Sequence, residues 1–239
     1  METALKVLSV LPWPDWVAVA LLFGGWAAYA HFARRKSGAQ HSLLAATNQV
    51  RRQWMMQTTF REVRVIDGVV IQNLSTSPSF FASTTILIIG GLLAVLGTSE
   101  KTTELVRDLP FAARTSTLIF DMKLMLLIGI FVYAFFRFTW SMRQYTFGAL
   151  LIAAAPEAAQ LLEQGSDGEV RRQAFAKKAG GVVSMAAETF NDGLRAYYLS
   201  FAAVAWFFSP LIFMLATAGV VYVLYQREFR SDVLAVLNS

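Results

Sequence analysis

Four long blocks of apolar residues, separated by polar segments, dominate the pattern of this chain. The blocks cover residues 16–32, 79–97, 118–138 and 201–225. A bilayer core of about 30 Å requires roughly 20 helical residues at about 1.5 Å each, which is close to the length of each block. Because lipid cannot hydrogen-bond to open backbone groups, each block is predicted to be a helix.

The pattern predicts an all-α polytopic membrane protein with four transmembrane helices and two long amphipathic cytoplasmic helical segments. The two segments have a helical period of apolar residues but carry too many charges to cross lipid. We expect one membrane domain over residues 1–239, with spans at about 16–33, 78–98, 117–140 and 200–225 and the amphipathic segments at 41–66 and 148–195.

Prolines and glycines suggest where these helices begin and break. Ser77 and Pro78 form a favourable cap and first turn, so the second span is predicted to begin there. Gly68 is expected to separate it from the preceding amphipathic helix. Pro156 is expected to interrupt the chain after the third span. Pro210 is expected to kink one long helix that continues into the fourth span.

Basic residues are unevenly distributed between the two kinds of connecting segment. The segments that follow the first and third blocks hold 13 Lys and Arg residues, and the remaining tails and loop hold six. The positive-inside rule then places both long segments in the cytoplasm and both termini outside, in a bacterial inner (plasma) membrane. Anionic lipid headgroups on the cytoplasmic side are the expected partners of the basic segments, and nucleic acid is not.

The composition argues against most soluble and enzymatic functions. Charged residues make up 15% of the chain, against roughly 25% in soluble domains. There is no cysteine, which excludes disulfides and thiolate chemistry. No phosphate-binding loop, hydrolase elbow or metal-ligand spacing is present. We therefore expect no enzyme activity, no cofactor and no metal site.

Charges within the third block are the first candidates for a functional role. Asp121 and Lys123 lie near its beginning and Arg137 near its end. Charges inside a bilayer are usually paired or line water. Asp121 and Lys123 are two residues apart and cannot face each other on a helix. Each therefore needs a partner elsewhere, or, in the simpler interpretation, reaches toward the headgroups.

A second candidate lies before the fourth block, where Glu188, Asn191, Asp192 and Arg195 follow one another. Spacings of four and three residues place Glu188, Asp192 and Arg195 on one helical face. Arg195 can pair with Asp192, which leaves Glu188 to find a bound ion or a cation from an arginine group. That group comprises Arg51, Arg52, Arg61 and Arg64. The face is either a structural salt-bridge network or the cytoplasmic mouth of an ion path.

A third candidate is the polar beginning predicted for the second span. Its side chains are Asn73, Ser75, Ser77, Ser83 and Thr84. Free amides and the positive end of the helix dipole could bind an anion there. Capping and hydrogen bonds between helices are the simpler explanation.

Two sequence stretches resemble a known membrane family. Residues 70–77, VIQNLSTS, are followed by FFAST at 80–84, and residues 190–198, FNDGLRAYY, are followed by AWF at 205–207. Both resemble entries into membrane spans in the domain-of-unknown-function 599 family. Since this family has no assigned activity, the resemblance implies fold and topology only.

Two functions remain open at this stage. The first is a channel or transport protein for small ions or solutes, which favours a homo-oligomer because four helices enclose little space. The small residues Gly90 and Ala94 permit close helix contact. The second is a scaffold or regulatory protein that docks a partner or anionic lipid through its cytoplasmic helices.

Overall fold

The computed structural model describes residues 11–37, 42–99 and 116–237. These residues form eight helices and no strand, so the all-α prediction is confirmed. The helices are α1 Trp13–Ser37, α2 Leu43–Thr58, α3 Val65–Gly97, α4 Thr117–Ala153, α5 Ala158–Glu163, α6 Ser166–Ala205, α7 Pro210–Phe229 and α8 Asp232–Leu237. The predicted beginning of the first amphipathic segment at residue 41 lies outside the described residues.

Four helical stretches are long and apolar enough to cross a membrane. They are Trp13–Ala33, Val65–Gly97, Thr117–Ala153 and Pro210–Leu237. Large apolar side chains on α3, such as Phe80, Leu87 and Leu93, are more than half exposed. Apolar surface of this kind matches a lipid environment. The chain is thus a multi-pass membrane protein.

The helix beginning predicted at Ser77 and Pro78 is wrong. Helix α3 begins at Val65, and Pro78 lies inside it. The first turn contains the fully buried Asp67, whose carboxylate accepts a hydrogen bond from Trp54 Nε1 at 2.7 Å and pairs with Arg61. A carboxylate here is favourable next to the positive end of the helix dipole.

Because α3 begins earlier than predicted, the amphipathic segment before it is shorter than predicted. Gly68, the expected break, lies within α3, and the break falls at residues 59–64 instead. Helix α2 therefore ends at Thr58, well before residue 66.

The predicted continuous helix through the fourth block is also wrong. Helix α6 ends at Ala205, and α7 begins at Pro210. Pro210 has no N–H to donate to the carbonyl of Trp206, four residues earlier. Ser209 Oγ accepts a hydrogen bond from the amide of Ile212 at 3.0 Å, which caps the new helix. Proline is favourable in the first helical turn, so the chain starts a new helix rather than a kink.

The interruption expected around Pro156 is confirmed. Helix α4 ends at Ala153, and the short α5 leads to Gly165, whose φ is 54°. Glycine suits this left-handed conformation, which other residues adopt at a cost. Helix α6 then begins at Ser166.

The chain divides into two compact units. The first unit comprises Met1–Arg35, Thr85–Ala134 and Leu194–Arg227, and the second comprises Lys36–Thr84, Phe135–Gly193 and Glu228–Ser239. Helices α3, α4 and α6 supply residues to both units.

In the first unit, contacts along α1 fix the direction of α7. Asp15, at the beginning of α1, contacts Trp206, just before α7. Phe32, near the end of α1, lies 6.2 Å from Tyr225, near the end of α7, between ring centroids. The two helices therefore run parallel and finish at the same end of this unit.

The second unit has its own apolar core. Its buried residues come from α2, α3, α4 and α6 and are Met55, Ile71, Tyr145, Ile152, Ala176, Ala179, Val183 and Ala186. Helix α8 packs against α2. The C-terminal helix thus lies beside the helix that follows α1 in sequence.

Candidate functional site

In the first unit, Trp206 joins two buried charges at the interruption between α6 and α7. Its indole Nε1 donates a hydrogen bond to Asp15 Oδ1 at 2.5 Å, and its carbonyl accepts one from Lys123 Nζ at 2.8 Å. Because Pro210 provides no amide hydrogen, this carbonyl is open to another donor. The Lys123 ammonium takes that place. We call Asp15, Lys123 and Trp206 the Trp206 cluster.

All three members of the Trp206 cluster are buried. The exposed fraction is 2% for Lys123, 6% for Asp15 and 2% for Trp206. The Lys123 ammonium also lies 5.4 Å from the ring centroid of Trp206 and 5.8 Å from that of Phe207. Aromatic faces and a carbonyl thus replace part of its hydration. The alternative in which Lys123 reaches toward the headgroups is not found.

Asp121 lies in the same helix as Lys123 but outside this cluster. Its side chain is partly buried, and its Oδ1 accepts no hydrogen bond from the described part of the chain. The two charges therefore have separate environments, as their spacing of two residues predicts.

In the second unit, Arg137 of α4 pairs with Asp192 of α6. The pairing of Asp192 with Arg195 stays a prediction. The Arg195 guanidinium lies 5.5 Å from the ring centroid of Tyr29, within the first unit. Spacing within one helix predicted Arg195 as the partner, and the structure shows a cation from a neighbouring helix, Arg137.

Glu188 takes part in a polar network with α2 in the second unit. It accepts a hydrogen bond from Asn48 Nδ2 at 3.0 Å, and Asn48 Oδ1 accepts one from Arg51 at 2.7 Å. Burial lowers the pKa of Arg51, and the charges of Tyr145 and Glu188 oppose this shift. Arg51 therefore provides the cation expected near Glu188, with Asn48 between them. Asn191 lies partly buried in α6.

The polar residues of the predicted second-span beginning lie in the interior of α3. Ser75 Oγ donates to the carbonyl of Gln72 at 2.8 Å, and Thr84 Oγ1 donates to that of Phe80 at 2.9 Å. Asn73, Ser77 and Ser83 are exposed. Since no helix begins here, the anion site that depended on free amides has lost its basis.

No group of three or more His, Cys, Asp or Glu side chains in residues 11–37, 42–99 and 116–237 could hold an ion.

A family model, described as a protein of unknown function, DUF599, matches residues 17–233. The chain belongs to this family. The match includes Lys123 and Trp206 and begins two residues after Asp15. No curated protein and no solved structure matches the chain.

In this DUF599 protein, sequence reasoning identified Lys123 but missed both of its partners. Asp15 lies directly before the first apolar block, and no spacing within one helix links it to Lys123. Trp206 carried a usable signal, because a proline four residues later always removes the donor to its carbonyl. The hydroxyls of Thr85 and Tyr197 lie 2.6 Å apart in the first unit, a contact between helices that spacing within one helix does not predict.

Proposed function

We propose that this DUF599 protein is an oligomeric membrane channel or transport protein for small ions or solutes. The observation that carries the proposal is the Trp206 cluster, in which an interrupted helix lies beside buried charges of both signs. Transporters commonly place ion and substrate sites at discontinuous helices, where carbonyls and helix ends are free to bind. Ionisable residues buried in membrane helices are in general associated with transport paths.

The Trp206 cluster offers complementary groups to either sign of ion. A cation could take the place of the Lys123 ammonium on the Trp206 carbonyl, with Asp15 as countercharge. An anion could instead draw the ammonium away from the carbonyl. Binding of either ion requires the Lys123 ammonium to leave its present position. A substitution that removes the charge of Lys123 therefore tests the proposal.

Ion flux in liposomes tests this proposal. The purified full chain is reconstituted, and the fluxes of K⁺, Na⁺, H⁺ and Cl⁻ are measured separately. We expect flux of at least one ion above that of empty liposomes. We also expect Lys123→Met to lower it about tenfold or more, since methionine keeps the length and removes the charge. Lys177→Met, at an exposed lysine of α6 in the second unit, is the matched control and should leave flux unchanged.

Gel filtration and thermal melting establish that each variant is folded before its flux is compared. The absence of flux for all four ions would refute transport of these ions. Wild-type flux in a folded Lys123→Met protein would remove the Trp206 cluster from the path.

We further infer the orientation in a bacterial inner membrane. Helix α1 ends in Arg34, Arg35 and Lys36, which the positive-inside rule places in the cytoplasm. Since α7 finishes at the same end of the first unit as α1, the C-terminus should also be cytoplasmic. This proposal replaces the expectation that both termini are outside. Anionic headgroups of the inner leaflet would then face these basic residues.

The proposal includes assembly into a homo-oligomer. A Cβ added to Gly90 or Gly91 of α3 would meet no described atom within 4 Å, so this small-residue face is open to another helix. Light scattering in mild detergent should give a protein mass above one 26.5 kDa chain. Ala94→Leu on this face should lower that mass, whereas Ala20→Leu on α1 should not. A single-chain mass for the unmodified protein would contradict assembly.

A docking function is the second candidate, favoured by the length of the helices. Helices α3, α4 and α6 contain 33, 37 and 40 residues. At about 1.5 Å per residue they extend roughly 50–60 Å, well beyond a bilayer core of about 30 Å. The second unit would provide the surface for a partner, and a folded protein without ion flux would favour this function.

A further inference from the structure

An apolar groove lies between α1 and α7 in the first unit. Its volume is about 560 Å³, within the range of about 300–1,000 Å³ typical of ligand sites. Small residues and aromatic rings form its walls, among them Gly25, Ala28, Tyr29, Phe32, Ala218 and Tyr225. A flexible methylene chain fits a groove of this composition.

One end of the groove has a positive character. Helices α1 and α7 finish there, and both Arg35 and Arg227 are exposed. Arg195 is 7% exposed, and its guanidinium lies 5.5 Å from the ring centroid of Tyr29, a groove residue. The acidic residues among the described part of this unit are Asp15, in the first turn of α1, and Asp121, near the beginning of α4. They belong to the opposite end. Glu228 follows Arg227 in α7, but the three arginines Arg35, Arg195 and Arg227 leave this end with a positive charge, which suits an anion.

The physics of the bilayer indicates which ligand the groove can select. An acyl chain is surrounded by apolar groups both in the groove and in the lipid, so its burial provides little selectivity. Selection must come from the headgroup, and arginine binds phosphate with strong charge-assisted hydrogen bonds. We propose that the groove holds one acyl chain of an anionic phospholipid, whose headgroup lies at Arg35, Arg195 and Arg227. This site does not depend on the transport function.

Native mass spectrometry of the full chain tests the lipid site. The protein is incubated in mild detergent with phosphatidylglycerol or with phosphatidylcholine of the same acyl chains. We expect one phosphatidylglycerol per chain to be retained, at least tenfold more tightly than phosphatidylcholine. Ala28→Leu combined with Ala218→Leu fills the groove at two exposed positions and should weaken retention at least tenfold. Ala20→Leu, at an exposed position of α1 outside the groove, is the matched control and should retain the lipid.

The headgroup contribution is tested separately at the two exposed arginines. Arg35→Gln and Arg227→Gln should each weaken phosphatidylglycerol binding about fivefold and leave phosphatidylcholine binding unchanged. Equal retention of the two lipids would overturn the proposal. Undiminished phosphatidylglycerol retention by the filled groove would also overturn it. If filling the groove instead separates an oligomer into single chains, the groove is an interface between copies.

Discussion

At the residue scale, two long helices each have an aspartate in the first turn that accepts a hydrogen bond from a tryptophan. Asp15 in α1 accepts a hydrogen bond from the indole of Trp206, and Asp67 in α3 accepts one from Trp54. Both carboxylates are nearly fully buried. In both helices the carboxylate lies at the positive end of the helix dipole and accepts its hydrogen bond from an indole N–H.

Close packing at the residue scale is tested at Gly193. A Cβ at this position would lie 2.5 Å from Cε1 of Phe138, which is fully buried and contacts the rings of Phe81 and Phe190. The ring has little room to move, so Gly193→Ala should destabilise the fold by about 1–3 kcal/mol. Gly181→Ala in the same helix would meet no described atom within 4 Å, and should stabilise the fold by about 0.5–1 kcal/mol.

The measurement is thermal melting of both variants and the wild type in the same detergent. We expect Gly193→Ala to melt below the wild type and Gly181→Ala at or above it. If Gly193→Ala melts no lower than Gly181→Ala, the contact with Phe138 is not as close as the structure shows.

At the element scale, three prolines occupy three different positions relative to the helices. Pro78 lies inside α3, Pro156 lies in the turn between α4 and α5, and Pro210 begins α7. Proline always removes one helical hydrogen bond, but the surroundings determine whether the helix continues. At Pro210, the cap provided by Ser209 favours a new helix.

The apolar blocks and the Pro156 interruption were predictable because they depend on local composition. The beginning of α3 was not, because Asp67 is held there by Trp54 and Arg61 across a turn. Ser77, which directly precedes Pro78, matched the pattern of a helix cap equally well in sequence. Only tertiary contacts distinguish the two beginnings.

The candidate site was predictable to the same limited degree. A lysine in an apolar block is conspicuous, so Lys123 could be selected from sequence. Its acceptor, Trp206, lies 83 residues away, and helical spacing carries no information over that distance. The same limit explains why Arg137, 55 residues from Asp192 in sequence, was not predicted as its partner.

At the scale of the whole molecule, the split of the fourth block changes the inferred topology. A single crossing would place the C-terminus opposite the end of α1. The structure instead has α7 parallel to α1 in the first unit and α8 packed against α2 in the second. Together with the basic residues that end α1, this arrangement favours a cytoplasmic C-terminus.

Cysteine labelling tests this topology cleanly, because the chain has no native cysteine. Single cysteines are placed at four exposed positions by Pro12→Cys, Thr98→Cys, Ser166→Cys and Ala235→Cys. A membrane-impermeant maleimide added to intact cells should label the first two and not the last two. All four should react once the membrane is opened with detergent, which controls for buried sites. Labelling at 235 but not at 166 in intact cells would restore a fourth complete crossing and an external C-terminus. Labelling at 166 from outside would invert the whole orientation, and the arginine end of the lipid groove would then face the outer leaflet.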